Sequence, residues 1–303
     1  MEQTAQIKEC AHTVAGIVAH VDAGKTTLAE SMLYLTGGTR KLGRVDHKDA
    51  FLDTYELEKN RGITIFSKQA ELNLKNRKLT LLDTPGHVDF SADKEETLLQ
   101  LQKRLDGRCV DFSDLENFDE RLAETDEELL EQFFETGKIR LEHIKKQIKD
   151  RKLFPCYFGS ALKMQGITEF LEGFEMYTTV PVYGDLFGAR VFKIARDAQG
   201  KRLTYLKVTG GVLKAKQVIG EEKIDQIRVY SGASFTSVLE AQPGMVCAVT
   251  GLNDTVTGQG LGCEIQAQTP ILEPVLTYCV SFSPGSLFYF WFHYLQGNCG
   301  EYC

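Results

Sequence analysis

Residues 16–27 read Gly-Ile-Val-Ala-His-Val-Asp-Ala-Gly-Lys-Thr-Thr, and the rest of the chain is organised around them. An apolar run from Val14 to Val18 leads in, and Leu28, Met32, Leu33 and Leu35 follow in a helix-like pattern. Strand, loop, helix is the context of a phosphate-binding loop, because backbone N–H groups at the loop and helix start converge on an anion. Ala19, His20, Val21, Asp22, Ala23, Gly24, Lys25, Thr26 and Thr27 are the candidate nucleotide-binding residues of this stretch. Gly24 permits close backbone approach to a phosphate, Lys25 supplies a point charge, and the Thr26 hydroxyl suits Mg²⁺. Ala19 departs from the Gly-x-x-x-x-Gly-Lys-Ser/Thr pattern, standing where the first glycine belongs.

A length of 303 residues allows about two domains of ~100–200 residues. Hydrophobic residues at 43% and charged residues at 25% are globular values, sufficient for packed cores. A net charge of −7 excludes a chain that is basic throughout and binds nucleic acid by bulk charge; RNA contact would need a local patch. The eight cysteines form no Cys-x-x-Cys pair and no zinc-spaced cluster, which fits reduced thiols in a cytoplasmic protein. The polar start Met1–Lys8 carries no signal-peptide pattern, and no stretch approaches the ~20 apolar residues of a membrane span, so no membrane partner is expected.

Two further motifs follow in order. Arg61-Gly-Ile-Thr-Ile-Phe66 ends in a β-branched, strand-like segment containing Thr64. Leu79-Thr-Leu-Leu-Asp-Thr-Pro-Gly-His87 reads as a buried strand ending in an acid, then a Pro-Gly turn. Asp83 at that strand end can hold Mg²⁺ directly or through water. Gly86 can present an open N–H to a terminal phosphate, and His87 can orient a water for attack.

With these three motifs in hand, the chain resembles the translational GTPases of the elongation factor G kind, with the ribosomal-protection type of tetracycline-resistance protein as the nearest likeness. The resemblance covers most of residues 14–278. It implies that Asp22–Thr27 hold the nucleotide phosphates, that Thr26 and Thr64 ligate Mg²⁺ with Asp83 in the outer shell, and that Thr64 and Gly86 sense the γ-phosphate. It implies His87 as the residue that places the hydrolytic water once the ribosome orders the site. The expected fold is α/β: a P-loop GTPase domain with an incomplete parallel sheet, residues 14–181, then an all-β translation-factor barrel, residues 184–278, and an atypical tail, 279–303.

The incompleteness is read after Ala92. A GTPase domain of this family continues through further βα units to Asn-Lys-x-Asp, whose Asp accepts from guanine N–H groups. This chain passes directly to Asp93-Lys-Glu-Glu-Thr-Leu-Leu-Gln-Leu-Gln-Lys-Arg-Leu105, and Asn-Lys-x-Asp occurs nowhere; Asn117-Phe-Asp-Glu120 lacks the lysine. A βαβ unit takes ~30 residues or more, so the interval cannot hold one.

Residues 93–150 read as helical scaffold. Leu98, Leu101 and Leu105 share one face; Asp126-Glu-Glu128 opens a helix carrying Leu129, Leu130, Phe133 and Phe134 on one side and stopped by Gly137; Ile139, Leu141, Ile144 and Ile148 mark another. Leu153–Phe158 reads as a strand leading to Gly159-Ser-Ala-Leu162 and a helix from Ile167 to Tyr177. By the resemblance, Ser160, Ala161 and Leu162 touch the guanine carbonyl oxygen; by pattern alone the stretch also suits a plain strand–helix turn. Cys156 reads as a small buried apolar residue rather than a nucleophile. Beyond Pro181 come evenly spaced strands at Gly188–Arg196, Leu203–Thr209, Ile224–Tyr230 and Gly244–Gly251, a pattern for a small closed barrel. In the family this domain contacts ribosomal RNA. The tail segment Leu287–Phe292 holds six apolar residues, including the only Trp, and reads as an altered frame or truncation rather than an evolved site.

The resulting expectation is GTP hydrolysis to GDP and phosphate with Mg²⁺, stimulated by the ribosome, with GTP/GDP and ribosomal RNA and proteins as partners and no DNA. The alternative is a remnant without GTPase activity, acting through its barrel or misfolded. A metabolic P-loop kinase is disfavoured by Arg61–Thr64 and Asp83–His87.

Overall fold

The computed structural model describes residues 11–19, 23–43, 50–52, 68–83 and 94–264. The first strand, β1 (Ala11–Ile17), runs parallel to β3 (Arg77–Asp83), and β2 (Lys68–Asn73) pairs antiparallel with the far side of β3, giving the order β1-β3-β2. Helix α1 (Lys25–Leu35) follows β1 in the chain and is capped by Gly24. Leu79, Leu81, Ala70 and Leu72 of the sheet pack with Ala29, Met32 and Leu33 of α1, and α6 (Ile167–Tyr177) closes this core with Ile167 and Leu171.

Among the described residues no strand pairs with the free edge of β1. An uninterrupted apolar run such as Val14–Val18 is the pattern of a strand covered on both faces. Here Val14, Ala15 and Ile17 are only half-buried, and Val18 beyond the strand is 86% exposed. The strand also begins at Ala11 rather than Val14. His12 and Thr13 are buried, and the turn at Gly244 packs against His12.

Helix α2 (Lys94–Arg104) leads to β4 (Cys109–Asp111), which pairs parallel with β5 (Phe154–Cys156). Between them lie α3 (Phe118–Ala123), α4 (Glu127–Thr136) and α5 (Leu141–Lys149). Val110, Phe112, Leu122, Leu129, Ile144 and Leu153 make a second core. The Asp126 carboxylate accepts the Glu128 N–H at 3.0 Å, and Gly137 terminates α4 with φ 69°, as its left-handed stop requires. Three expectations need correction. Leu105 lies past the end of α2 and is 75% exposed; Leu130 and Phe134 point outward while Leu129 and Phe133 face the core; and the strand at 153–158 shortens to β5. The partner of β5, β4, is a strand where the pattern indicated only helix.

The remaining chain is β-rich: β6 (Gly188–Arg196), β7 (Arg202–Gly210), β8 (Leu213–Lys214), β9 (Val218–Ile219), β10 (Glu222–Lys223), β11 (Gln226–Ser231), β12 (Ser234–Val238), β13 (Glu240–Ala241), β14 (Val246–Thr250) and β15 (Gly260–Gly262). Six of these form one antiparallel sheet in the order β12-β11-β14-β7-β6-β15, with short ladders β9–β10 and β8–β13 beside it. Val191, Leu206, Val208, Ile227 and Val249 fill its core. The alternate face carries Phe192, Tyr205, Tyr230 and Phe235 in a ladder of ring contacts at 5.3–6.3 Å. The small Ala248, paired with both Tyr205 and Arg228, lets the rings of β7 and β11 meet across β14. The β-rich part holds the α/β part through the outer edge of β2: Gly232 N–H donates to Gln69 O at 2.9 Å, and Gln69 Nε2 donates to Val246 O at 3.2 Å.

Candidate nucleotide site

Gly24 caps α1 with φ 77°, a left-handed conformation that side-chain-bearing residues rarely adopt, so glycine is needed to turn the loop into the helix. The turn brings Lys25, 7% exposed, and Thr26, 8% exposed, to the sheet's C-terminal edge. Parallel pairing of β1 with β3 sets Ile17 opposite Asp83, so the loop leaving β1 and the acid ending β3 share that edge. Thr26 Oγ1 donates to Asp83 Oδ2 at 2.9 Å, in a buried contact between residues 57 apart. A hydroxyl and a carboxylate brought together beside a phosphate-loop lysine are hard oxygen donors of the kind Mg²⁺ takes. The residues present fit that ion.

A cleft of about 880 Å³ opens beside this loop. One wall is Ala23, Gly24, Lys25, Thr27 and Leu28; the other is Tyr157, Phe158, Gly159, Ser160, Ala161 and Leu162. The walls are tied together. Ser31 Oγ, fully buried in α1, lies 2.9 Å from Ala161 O and 2.8 Å from Thr27 O. The 160–165 loop closes on itself through Ser160 N–H to Gln165 O at 2.9 Å and Gln165 N–H to Ser160 O at 3.0 Å. Tyr157 stands edge-on to Phe170 at 5.5 Å between ring centroids, and burial pushes its phenol well above the ordinary range. Gly173 of α6 makes room for it; a Cβ there would lie 1.8 Å from the Tyr157 hydroxyl oxygen. Cys156, half-buried, has its thiol pushed up to about 12 by burial and by the nearby Cys109 and Asp111, so it is no nucleophile at neutral pH.

Of the residues singled out from sequence, Ala19, Ala23, Gly24, Lys25, Thr27, Ser160, Ala161 and Leu162 all line this one cleft, and Thr26 meets Asp83 at its edge. His20, Val21, Asp22, Thr64, Gly86 and His87 lie outside the described residues, as does the tail 279–303. Sequence reading overlooked Ser31 and the aromatic wall of Tyr157, Phe158 and Phe170. Ser31 had a signal: a serine on the apolar side of a helix, four residues after Thr27. The wall had none, because it forms only by tertiary contact.

The family model described as elongation factor Tu GTP binding domain matches residues 11–107, and that described as elongation factor G domain 2 matches residues 186–261. Elongation factor G of Mycoplasma genitalium is 25% identical over 399 residues, covering 88% of this chain and 58% of the relative. Tetracycline resistance protein TetP of Clostridium perfringens is 26% identical over 335 residues, covering 82% of this chain and 51% of the relative. The chain thus spans little more than half the length of these relatives. Both alignments are longer than the 303-residue chain itself, so the relatives carry interior sequence that this chain lacks. A crystal structure of a Thermus thermophilus protein superposes with a TM-score of 0.70 at 20% identity, over 86% of this chain and 55% of that one, a likeness of fold. The chain thus resembles, in order along its length, the GTP binding domain of elongation factor Tu and the second domain of elongation factor G.

Proposed function

We propose that the chain is a GTP-binding, translation-factor-like protein whose reaction is ribosome-stimulated hydrolysis of GTP to GDP and phosphate. The observation that carries this reading is the convergence of Gly24, Lys25, Thr26 and Asp83 on one side of a cleft whose other side is Ser160–Leu162. The phosphates would lie on the N–H groups entering α1, beside Lys25. Thr26 and Asp83, with Thr64, would hold Mg²⁺, which when bound neutralises charge building on the phosphate oxygens. His87 would orient the attacking water, and Gly86 would meet the γ-phosphate. Phosphoryl transfer asks little covalent chemistry of the protein, so positioning and charge dominate.

In this reading residues 14–181 bind nucleotide, residues 184–278 meet the ribosome through RNA and protein contacts, and the protein works in the cytoplasm. Protection from tetracycline and elongation remain equal candidates for the parent activity, since elongation factor G and TetP match at nearly the same identity. The test is phosphate release from GTP with and without ribosomes, in the parent and in His87→Ala. Ribosome-dependent release abolished by the substitution supports the proposal; equal release in both refutes the role of His87. A second reading, binding without hydrolysis through the β-rich part, is favoured by the edge of β1, which no strand covers among the described residues. It predicts ribosome association with no phosphate release.

A further inference from the structure

We infer that Glu30 is a positioning residue for the nucleotide site: its buried carboxylate fastens helix α1 to the strip Ala50–Leu52, which is itself seated on the β-rich part. The inference rests on the nucleotide reading above and concerns what holds the phosphate-binding end of α1 in place.

Glu30 stands at the centre of α1, one turn after Thr26, and is fully buried. A carboxylate taken out of water is costly unless donors meet it, so its presence in a core answers a specific demand. Here Oε1 accepts the Leu52 N–H at 2.9 Å, a buried contact between residues 22 apart. Oε2 faces Gly43, where a Cβ would collide with it and lie 2.9 Å from Ala50 Cα. The chain thus passes the carboxylate twice, at Gly43 and at Ala50–Leu52, and the first passage requires a residue without a side chain. Leu52 is fully buried in the core that Ala29, Met32 and Leu33 of α1 share.

Phe51 carries the connection outward. A Cβ on Gly232 would lie 2.7 Å from Phe51 Cε1, so the ring rests against the turn between β11 and β12. That turn is also held by β2: Gly232 N–H donates to Gln69 O at 2.9 Å, and Glu71 N–H donates to Ser231 Oγ at 3.4 Å. Helix α1 has reason to need this support. Gly24 supplies no side-chain cap and the first turn holds no acid, so little in the helix's own sequence steadies its start. Glu30 supplies a hold one turn further in, and the β-rich part backs it through Phe51.

Release of fluorescent GDP from the full chain with Mg²⁺ tests this, in the parent, Glu30→Ala, Glu30→Gln, Phe51→Ala and the double variant Glu30→Ala/Phe51→Ala. Glu30→Ala should release GDP about tenfold faster, the scale of one lost hydrogen bond. Glu30→Gln keeps an oxygen that can accept the Leu52 N–H and should recover part of that loss. Phe51→Ala, remote from the cleft and altering a ring that is 37% exposed, should speed release about threefold. The double variant should be no faster than Glu30→Ala within about twofold, because both residues act through one strip. Phe51→Ala releasing at the parent rate would overturn the inference, and it remains decisive if Glu30→Ala does not fold. Independent, multiplying effects in the double variant would overturn it too, as would a Glu30→Ala that lowers the urea midpoint without changing release. A folded parent that binds no GDP is a different result: it refutes the nucleotide reading itself, and the positioning role falls with it.

Discussion

Replacing Ser31 by alanine removes a side-chain bond between the two walls of the cleft. The hydroxyl is fully buried and lies 2.9 Å from Ala161 O and 2.8 Å from Thr27 O. Losing a buried neutral hydrogen bond costs about 1–2 kcal/mol, and the Ala161 carbonyl keeps its bond from Met164 N–H, which holds the loss to that range. Alanine in the helix interior returns roughly 0.5 kcal/mol through better propensity. The net destabilisation is therefore about 0.5–1.5 kcal/mol, read as a lower urea midpoint at unchanged slope. The functional effect should be larger in proportion. With the 160–162 loop no longer held to α1, GDP affinity should fall about three- to tenfold, mainly through faster release. Thr136→Ala is a control away from the cleft: the Thr136 hydroxyl, at an exposed helix end, lies 2.9 Å from Gln132 O and 2.7 Å from Lys138 O. It should change stability less than Ser31→Ala does and leave affinity alone. If Ser31→Ala loses stability but binds GDP within twofold of the parent, the 160–162 loop is not part of the site.

Three other outcomes are expected. Asp83→Asn keeps the shape of a side chain that is 1% exposed but removes its charge, so the Mg²⁺ concentration needed for half-maximal nucleotide binding should rise about tenfold; an unchanged Mg²⁺ titration would remove Asp83 from the metal site. His12 is held below its ordinary value of 6.5 by burial first and by Lys78 second. The unfolded chain then binds the extra proton over the interval from the lowered value up to 6.5, so His12 makes stability fall as pH drops through that interval, and its full contribution is present above it. In His12→Asn this component of the pH dependence should disappear from denaturant midpoints measured between pH 5 and 7.5; an identical profile would contradict the burial argument. Gly173→Ala places a methyl 1.8 Å from the Tyr157 hydroxyl oxygen and should cost about 1–3 kcal/mol while weakening nucleotide binding, whereas Gly173→Ala combined with Tyr157→Phe should recover part of both.

What could be read from sequence follows a physical divide. Helix α6 was expected at Ile167–Tyr177 and lies there, because Ile167, Phe170, Leu171 and Phe174 repeat at helical spacing between Gly166 and Thr178. Strand β6 was expected at Gly188–Arg196 for a similar local reason, ending in the Asp197–Gly200 turn closed by a 2.9 Å bond. That Lys25, Thr26 and Asp83 come together was legible because a Gly-Lys-Thr loop after one strand and an acid ending its parallel neighbour meet at one sheet edge. Strand β4 was not legible: it has three residues, and its partner β5 comes only after three intervening helices. The outward turn of Leu130 and Phe134 was missed because an apolar residue on a helix does not announce which neighbour will cover it. The aromatic wall was hidden because Tyr157, Phe158 and Phe170, separate in sequence, line one cleft only through tertiary contact.

The most direct test of the central claim is a calorimetric titration of GDP with Mg²⁺ into the full chain and into Lys25→Ala. Lys25 is nearly buried at the mouth of the cleft and contributes the charge that a phosphate would meet. The account predicts saturable one-to-one binding to the parent and none to the variant at the same concentrations. Equal binding by both proteins, or none by a parent that is folded and monodisperse, would contradict it.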